Sequence, residues 1–273
     1  ETENIYTKLK SQEGKATVVF MGHWDSKSQT FPSSLRIILI ILAVFGALIL
    51  VIIYLILSII RIFIPFEIYL LNLILFSSSI VIAIIGSLNF FNKTGNQSPG
   101  AYDNASAVGV VIELARYFKN NPLNNIDFIF LAPSSEELNL GGIKDFLKKH
   151  KEEFDIDTTY FINYDLIGGN IIKLIYSFGI PRKVSSHKLN KLFLNSAKEL
   201  NLKIKDQYLP TGAWSDYMPV VYEGFEACWL ATLPGLKMVH TKNDNMELIT
   251  NKGLKDILEL TIKVIEKLNS EYN

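Results

Sequence analysis

The 273 residues carry 27 Lys plus Arg against 27 Asp plus Glu, and 49% of the chain is hydrophobic. So even a balance offers no basic field to attract nucleic acid and no acidic tail to buffer cations. The single cysteine, Cys228, excludes an internal disulfide, and its apolar setting Ala227-Cys228-Trp229-Leu230 marks a buried strand residue rather than a nucleophile. The chain opens on Glu1 with no signal-peptide pattern, so we expect the natural N-terminus to be longer.

In chain order, Ala16 to Met21 (ATVVFM) predicts a buried strand. Ile37 to Ile60 then runs without a charge, and Ile68 to Phe91 is interrupted only by Asn72, Asn89 and a few serines. Apolar runs beyond about 18 residues are long enough to cross roughly 30 Å of hydrocarbon. The link from Arg61 to Glu67 is short and contains Pro65, which predicts a transmembrane helical hairpin over 36–91, with spans at 37–60 and 68–91 and both outer ends on one side. Helices of a soluble core seldom stay apolar on every side for so many turns. Arg36, Lys93, Arg61 and Glu67 give too slight a bias to set the orientation. The expected localisation is an integral, multi-pass membrane protein with the lipid bilayer as a partner through 36–91. Neither span holds an ionisable residue, which argues against a transporter.

Beyond the hairpin, Ala105 to Phe118 has helical spacing, Ile126 to Leu131 (IDFIFL) reads as a strand, and a helix is expected over 141–149. Strands follow at Thr159 to Asn163 and Ile171 to Tyr176, a helix at Val184 to Leu200, a strand at Glu226 to Leu230, and an amphipathic helix at Lys252 to Leu268. Alternating strands and helices with short apolar strands indicate an α/β domain, with a mixed, mostly parallel central sheet covered by helices on both faces. That domain is expected to comprise 1–35 and 92–273.

The chemistry-bearing residues are scattered. His23-Trp24-Asp25 follows the first strand, and ligands of open α/β sheets gather beyond the strands' carboxyl ends. Asp103 opens a helix, where an N-cap role is equally natural. Glu136 and Glu137 end the strand IDFIFL, and adjacent carboxylates are costly unless a cation is near. Asp165 ends the next strand, and His240 follows the apolar block at 226–233. Taken singly these are a surface turn, a helix cap, a solvated loop and a loop histidine. Taken together, His23, Asp103, Glu137, Asp165 and His240 are the right types to hold two zinc ions, each placed where a predicted strand gives way to a loop.

That order resembles the zinc aminopeptidase family typified by aminopeptidase Y and bacterial leucyl aminopeptidase. The matching stretches are VVFMGHWDS, PGAYDNASAVGVVIELAR, IFLAPSSEELNLGGIKDF, YFINYDLIGG and MVHTKNDNMELI, nearly all of the chain outside the hairpin. The resemblance implies a zinc-peptidase-like fold and a di-zinc metallopeptidase acting on peptides or protein termini. It implies that Asp103 bridges both metals, with His23 and Asp165 completing one site and Glu137 and His240 the other. Glu136 would be the general base for a hydroxide shared between the metals, and Asp25 the partner orienting His23. Other divalent ions suit the same donors.

The chain departs from the family twice. The hairpin separates Asp25 from Asp103, where relatives have a short loop, and removing 36–91 restores the usual spacing. Trp214-Ser215-Asp216-Tyr217 stands where many relatives have Ser-Asp-His, so Asp216 and Tyr217 are weaker candidates for the substrate pocket or the start of a helix. Two other readings are open: a single-zinc acyltransferase similar to glutaminyl cyclase, and a non-catalytic receptor or scaffold on the same fold. A hairpin leaving the loop after His23 would also hold the catalytic mouth near the bilayer, where it could meet membrane-presented peptides or serve only as an anchor.

Overall fold

The computed structural model describes residues 3–66, 68–210, 214–232 and 237–273. Glu67 in the expected hairpin link and Leu233 at the end of the expected apolar block lie outside this set. Strand β2 (Ala16–Met21) is buried along almost its whole length, as a strand covered on both faces must be. It pairs in parallel with β5 (Ile126–Ala132) on one side and β6 (Thr159–Tyr164) on the other. Strand β10 (Glu226–Ala231) extends the parallel run beside β6. The edges turn mixed. β1 (Ile5–Leu9) lies antiparallel to β5, β7 (Ile172–Phe178) antiparallel to β10, and the short β8 (Lys183–Val184) antiparallel to β7. β9 (Ile204–Leu209) pairs in parallel with β7.

Alternate residues of β2 divide the core. Val18 and Phe20 face one layer, where α3 (Ser106–Asn120), α5 (His187–Glu199) and α7 (Asn251–Ser270) pack. Val19 and Met21 face the other, against α4 (Gly141–His150) and α6 (Tyr217–Tyr222). Ser186 caps α5 by accepting from Leu189 N at 2.9 Å, and Thr250 caps α7 by accepting from Gly253 N at 3.0 Å, the usual N-terminal capping chemistry. The mixed, mostly parallel sheet with helices on both faces is as expected, and Cys228 is a buried strand residue.

Several boundaries move. The first apolar helix, α1, spans Ser33–Phe63, because Pro32 ahead of it is compatible with a helix start. The second, α2, spans Tyr69–Leu88 and ends in a tight turn at Asn89–Phe91. The helix expected from Val184 begins only at His187, since 183–184 pair with β7. The helices of the hairpin run antiparallel: Tyr54 Oη lies 3.3 Å from Ser79 Oγ, and Arg61 Nη2 donates to Asn72 Oδ1 at 2.7 Å. A side chain at Gly46 would come within 2.9 Å of Ile82, so glycine sets that close approach. α1 has no buried residue and α2 has only Leu75, so neither packs into the core formed by the described residues. Both are long and apolar enough to cross a membrane.

The hairpin is clasped at its neck. β3 (Ser28–Gln29) pairs antiparallel with β4 (Thr94–Gly95), and Thr30 N donates to Lys93 O at 3.0 Å beside them. Phe31 N donates to Asn92 Oδ1 at 3.0 Å. The chain therefore leaves and re-enters the α/β body at one place.

Candidate metal centre

The four central parallel strands bring polar residues to a single rim. His23 lies just past β2, Glu136 and Glu137 past β5, Asp165 directly after β6, and His240 in the loop after β10. Asp103 departs from the expected strand-then-ligand order. It sits in an irregular turn, Ala101–Ala105, that opens α3, with non-helical backbone at Asp103 and Asn104. The turn is held by Asp244, whose Oδ1 accepts from Tyr102 N at 2.6 Å and Oδ2 from Asp103 N at 3.2 Å. Backbone strain gathers around the same rim. Ser135, Leu166 and His240 have φ of 56°, 57° and 63°, a region costly for side-chain-bearing residues.

All five candidate ligands converge, as two clusters that share Asp103: His23, Asp103 and Asp165 in one, and Asp103, Glu137 and His240 in the other. His23 Nε2 is 3.2 Å from Asp103 Oδ1 and 3.8 Å from Asp165 Oδ1. His240 Nε2 is 3.1 Å from Asp103 Oδ2 and 2.7 Å from Glu137 Oε1. Asp103 thus turns one oxygen to each cluster, the disposition of a bridging carboxylate. His23 Nδ1 lies 3.0 Å from the Asp25 carbonyl oxygen, which can only accept, so in the neutral ring this nitrogen carries the proton and Nε2 has its lone pair for an ion.

The donors suit a pair of divalent cations. Imidazole nitrogens and carboxylate oxygens are the ligands zinc takes at about 2.0–2.2 Å, and tetrahedral donors at that range stand roughly 3.4 Å apart. Despite the close contacts, His23 Nε2 and Glu137 Oε1 are buried without a hydrogen bond of normal geometry, as expected of atoms arranged to meet an ion rather than each other.

The charge balance agrees. Asp25, Asp103, Glu136, Glu137, Asp165, Asp216 and Asp244 crowd around two imidazoles and Lys27. Burial pushes Glu136 well above the usual carboxylate range, with Asp165, Asp216 and Glu137 adding to the rise against the pull of His23. Burial also raises Asp165, and Asp216 to about 7. Burial disfavours a charged His23, yet Glu136, Asp103, Asp165 and Asp25 overcome it and raise the ring well above its ordinary value. His240 is raised to about 9 against burial, through Asp103 and Glu137. Asp103, with both histidines close to its oxygens, goes below the usual range although burial opposes it. A buried site that draws protons onto its imidazoles is a site short of positive charge.

The supporting residues are partly those expected. Asp25 reaches His23 with its carbonyl more closely than with Oδ1, which is 3.6 Å from Nδ1. Its carboxylate instead accepts from Glu136 N at 3.1 Å and Glu137 N at 3.2 Å, fixing the two-glutamate turn. Asp216 is fully buried with neither carboxylate oxygen hydrogen-bonded among the described residues, and Tyr217 packs in the core between Phe178 and Trp229. Three further residues escaped the sequence reading. Ser215 Oγ donates to Asp165 Oδ2 at 2.6 Å and accepts from Asn163 Nδ2 at 2.6 Å. Lys27 Nζ lies 2.7 Å from Glu137 Oε2. Asp244, inside a quoted motif, had no role assigned. Of these, only Ser215 gave a signal, standing beside Asp216 in the departing motif.

The profile described as peptidase family M28 matches residues 86–265, more than half of the chain. The chain belongs to peptidase family M28. The match takes in Asp103, Glu136, Glu137, Asp165 and His240 and leaves His23 to the structure. Over 101 residues the chain is 34% identical to the alkaline phosphatase isozyme conversion protein of Escherichia coli (strain K12), covering 37% of this chain and 28% of that protein. Among solved structures it is similar to the aminopeptidase from Aneurinibacillus sp. strain AM-1 (TM-score 0.62, 16% identity, 97% of this chain and 47% of that one). It is also similar to BSAP, a zinc aminopeptidase from Bacillus subtilis (TM-score 0.60, 17% identity, 97% and 49%). A leucine aminopeptidase precursor from Bacteroides thetaiotaomicron VPI-5482 superimposes with a TM-score of 0.59 at 17% identity, covering 96% of this M28 chain and 75% of that one. At such identities these structures establish a common fold. The chain spans under half the length of the first two structures and 28% of the Escherichia coli protein.

Proposed function

We propose that this M28 chain is a di-zinc metallopeptidase, an aminopeptidase held to a bilayer by an inserted hairpin over 36–91, with 1–35 and 92–273 as its peptidase domain. The observation that carries the reading is the pair of donor clusters joined through Asp103. A single-metal acyltransferase would need one cluster broken, and a receptor would need neither.

His23, Asp103 and Asp165 would hold one zinc, and Asp103, Glu137 and His240 the other. Bound there, zinc would polarise the scissile carbonyl and make water acidic enough to attack near neutral pH. Glu136, half-buried beside these ligands, takes the proton released by the attacking water and returns it to the departing amine. Asp25 fixes the turn from which Glu136 projects by accepting its backbone amide. Support for bilayer insertion comes from the outward apolar faces of α1 and α2, whose most hydrophobic stretches are only 6% buried.

Purified full-length chain should bind two zinc ions and release the first residue from peptides with a free amine. It should spare N-blocked peptides and lose turnover to a chelator. Turnover that ignores amine blocking would replace the aminopeptidase assignment, and a chelator-insensitive chain binding no zinc would refute the metallopeptidase.

A further inference from the structure

A cavity of about 950 Å³ opens at the neck of the hairpin. Its lining includes the candidate ligand Glu137 and Lys27, which lies 2.7 Å from that carboxylate. The hairpin contributes Arg36 and Ile40 of α1. Trp24, from the loop after β2, and Leu138, from the loop after β5, line it as well. Trp24 is 48% exposed, Ile40 42% and Leu138 74%, so three elements each turn an apolar side chain to this opening without packing it away. Ligand sites combine such walls with a few polar groups and reach about this size. Most charges on the lining are engaged within the protein: Lys27 pairs with Glu137, Asp25 accepts from the Glu136 and Glu137 amides, and Arg36 donates to Gln29, while Glu3 adds a further carboxylate. Phe90 and Phe91, 89% and 66% exposed, follow α2 at the same neck, so the cavity lies level with the end of the apolar helices.

We infer that this cavity is a subsite for the leaving side of the substrate, taking apolar residues that follow the scissile bond in a peptide presented at a bilayer surface, with the hairpin as one wall. The inference rests on the aminopeptidase reading, in which one residue lies on one side of the bond and the remaining chain needs space on the other. The hairpin is then part of the specificity apparatus as well as a tether.

The test uses the full-length chain in phosphatidylcholine vesicles with two free-amine peptides. One is a tripeptide amide, and the other is a longer peptide with apolar residues after the first bond and a C-terminal acyl chain. Leu138→Glu and Ile40→Asn should each lower the ratio of kcat/KM for the long peptide over the short one by about tenfold, the discrimination one apolar contact gives. A photoreactive apolar residue placed beyond the first bond should label the Trp24–Leu138 wall whether or not cleavage follows. Labelling without turnover would show that the cavity takes apolar peptide residues but would defeat the peptidase reading and, with it, the leaving-side assignment. Turnover with an unchanged ratio in both variants and no label on that wall would overturn the subsite and leave the peptidase reading standing. Absence of both turnover and label would overturn both.

Discussion

Ser33, the first residue of α1, places its hydroxyl 3.4 Å from Nδ1 of His240, so the apolar hairpin and the candidate metal centre meet in one pair of side chains. Gln29 strengthens the link, donating from N to His240 O at 2.9 Å and from Nε2 to Ser33 Oγ at 2.8 Å. Groups that touch the far nitrogen of a ligating histidine orient the ring, and their loss commonly costs 10–100-fold in metal affinity. At 3.4 Å the contact is long, so Ser33→Ala should weaken zinc binding at the His240 side by about tenfold. Competition with a fluorescent chelator measures this, and an unchanged affinity would show that Ser33 does not orient the ring.

The two clusters share one carboxylate, which makes their response to substitution unequal. His240→Ala should leave about one zinc per chain, and Asp103→Ala should leave almost none, by elemental analysis after dialysis. Glu136→Gln should keep both ions and reduce turnover about 10²–10⁴-fold, the range for removing a general base. Equal metal loss in Asp103→Ala and His240→Ala would contradict the bridging role.

Ser215 sits between two buried groups, accepting from Asn163 and donating to Asp165. Ser215→Ala removes both bonds and leaves their partners unsatisfied, at about 1–3 kcal/mol. A lower unfolding midpoint in metal-free protein, together with weaker zinc binding, is the expected result. Reduced stability with unaltered zinc affinity would restrict Ser215 to a structural role.

Gly142 allows α4 to approach the strand-end turn that carries the two glutamates. A side chain there would lie 2.1 Å from Ser134 O and 2.7 Å from Ser134 N, both backbone atoms. Gly142→Ala should cost about 1–3 kcal/mol as overpacking does, and should displace Glu136 and Glu137 with it. Thermal unfolding and zinc stoichiometry should fall together; a neutral substitution would mean that α4 moves freely.

Far from the site, Asp127 gathers Lys10 Nζ at 2.6 Å, Ser11 N at 2.8 Å and Ser11 Oγ at 2.9 Å, tying down the β1–β2 loop. Burial pulls its carboxyl upward, but these partners prevail and hold it below the usual range. A folded-state value below the unfolded one gives stability that is complete above the unfolded pKa and lost as pH falls through the folded one. Asp127→Asn should therefore lower stability at neutral pH and flatten the decline between about pH 4 and more acid solution. Denaturant melts across that window check it, and an acid limb identical to that of the unmodified chain would exclude the linkage.

The parallel centre of the fold was legible because β2, β5, β6 and β10 are short apolar runs, each followed by a loop that carries a candidate ligand. Edge elements were not. β1, with four exposed residues out of five, and β9, partly exposed throughout, carry no apolar run, and the two-residue β3 and β4 are too short to give a period. The five candidate ligands could be read from their order alone, whereas Lys27, Ser215 and Asp244 act through contacts between segments far apart in the chain. Asp25 was noticed for one partner and found holding two others, because a local spacing cannot reveal the amides that a distant turn brings to it.

The β3–β4 clasp has a consequence for how such a molecule arises. Because the excursion from Thr30 to Lys93 begins and ends at a single doorway, it behaves as a cassette. A lineage could gain or discard the two apolar helices by one splice while keeping the strand order of the α/β body. Transplanting the same doorway into another protein's surface loop would carry the two apolar helices along with it.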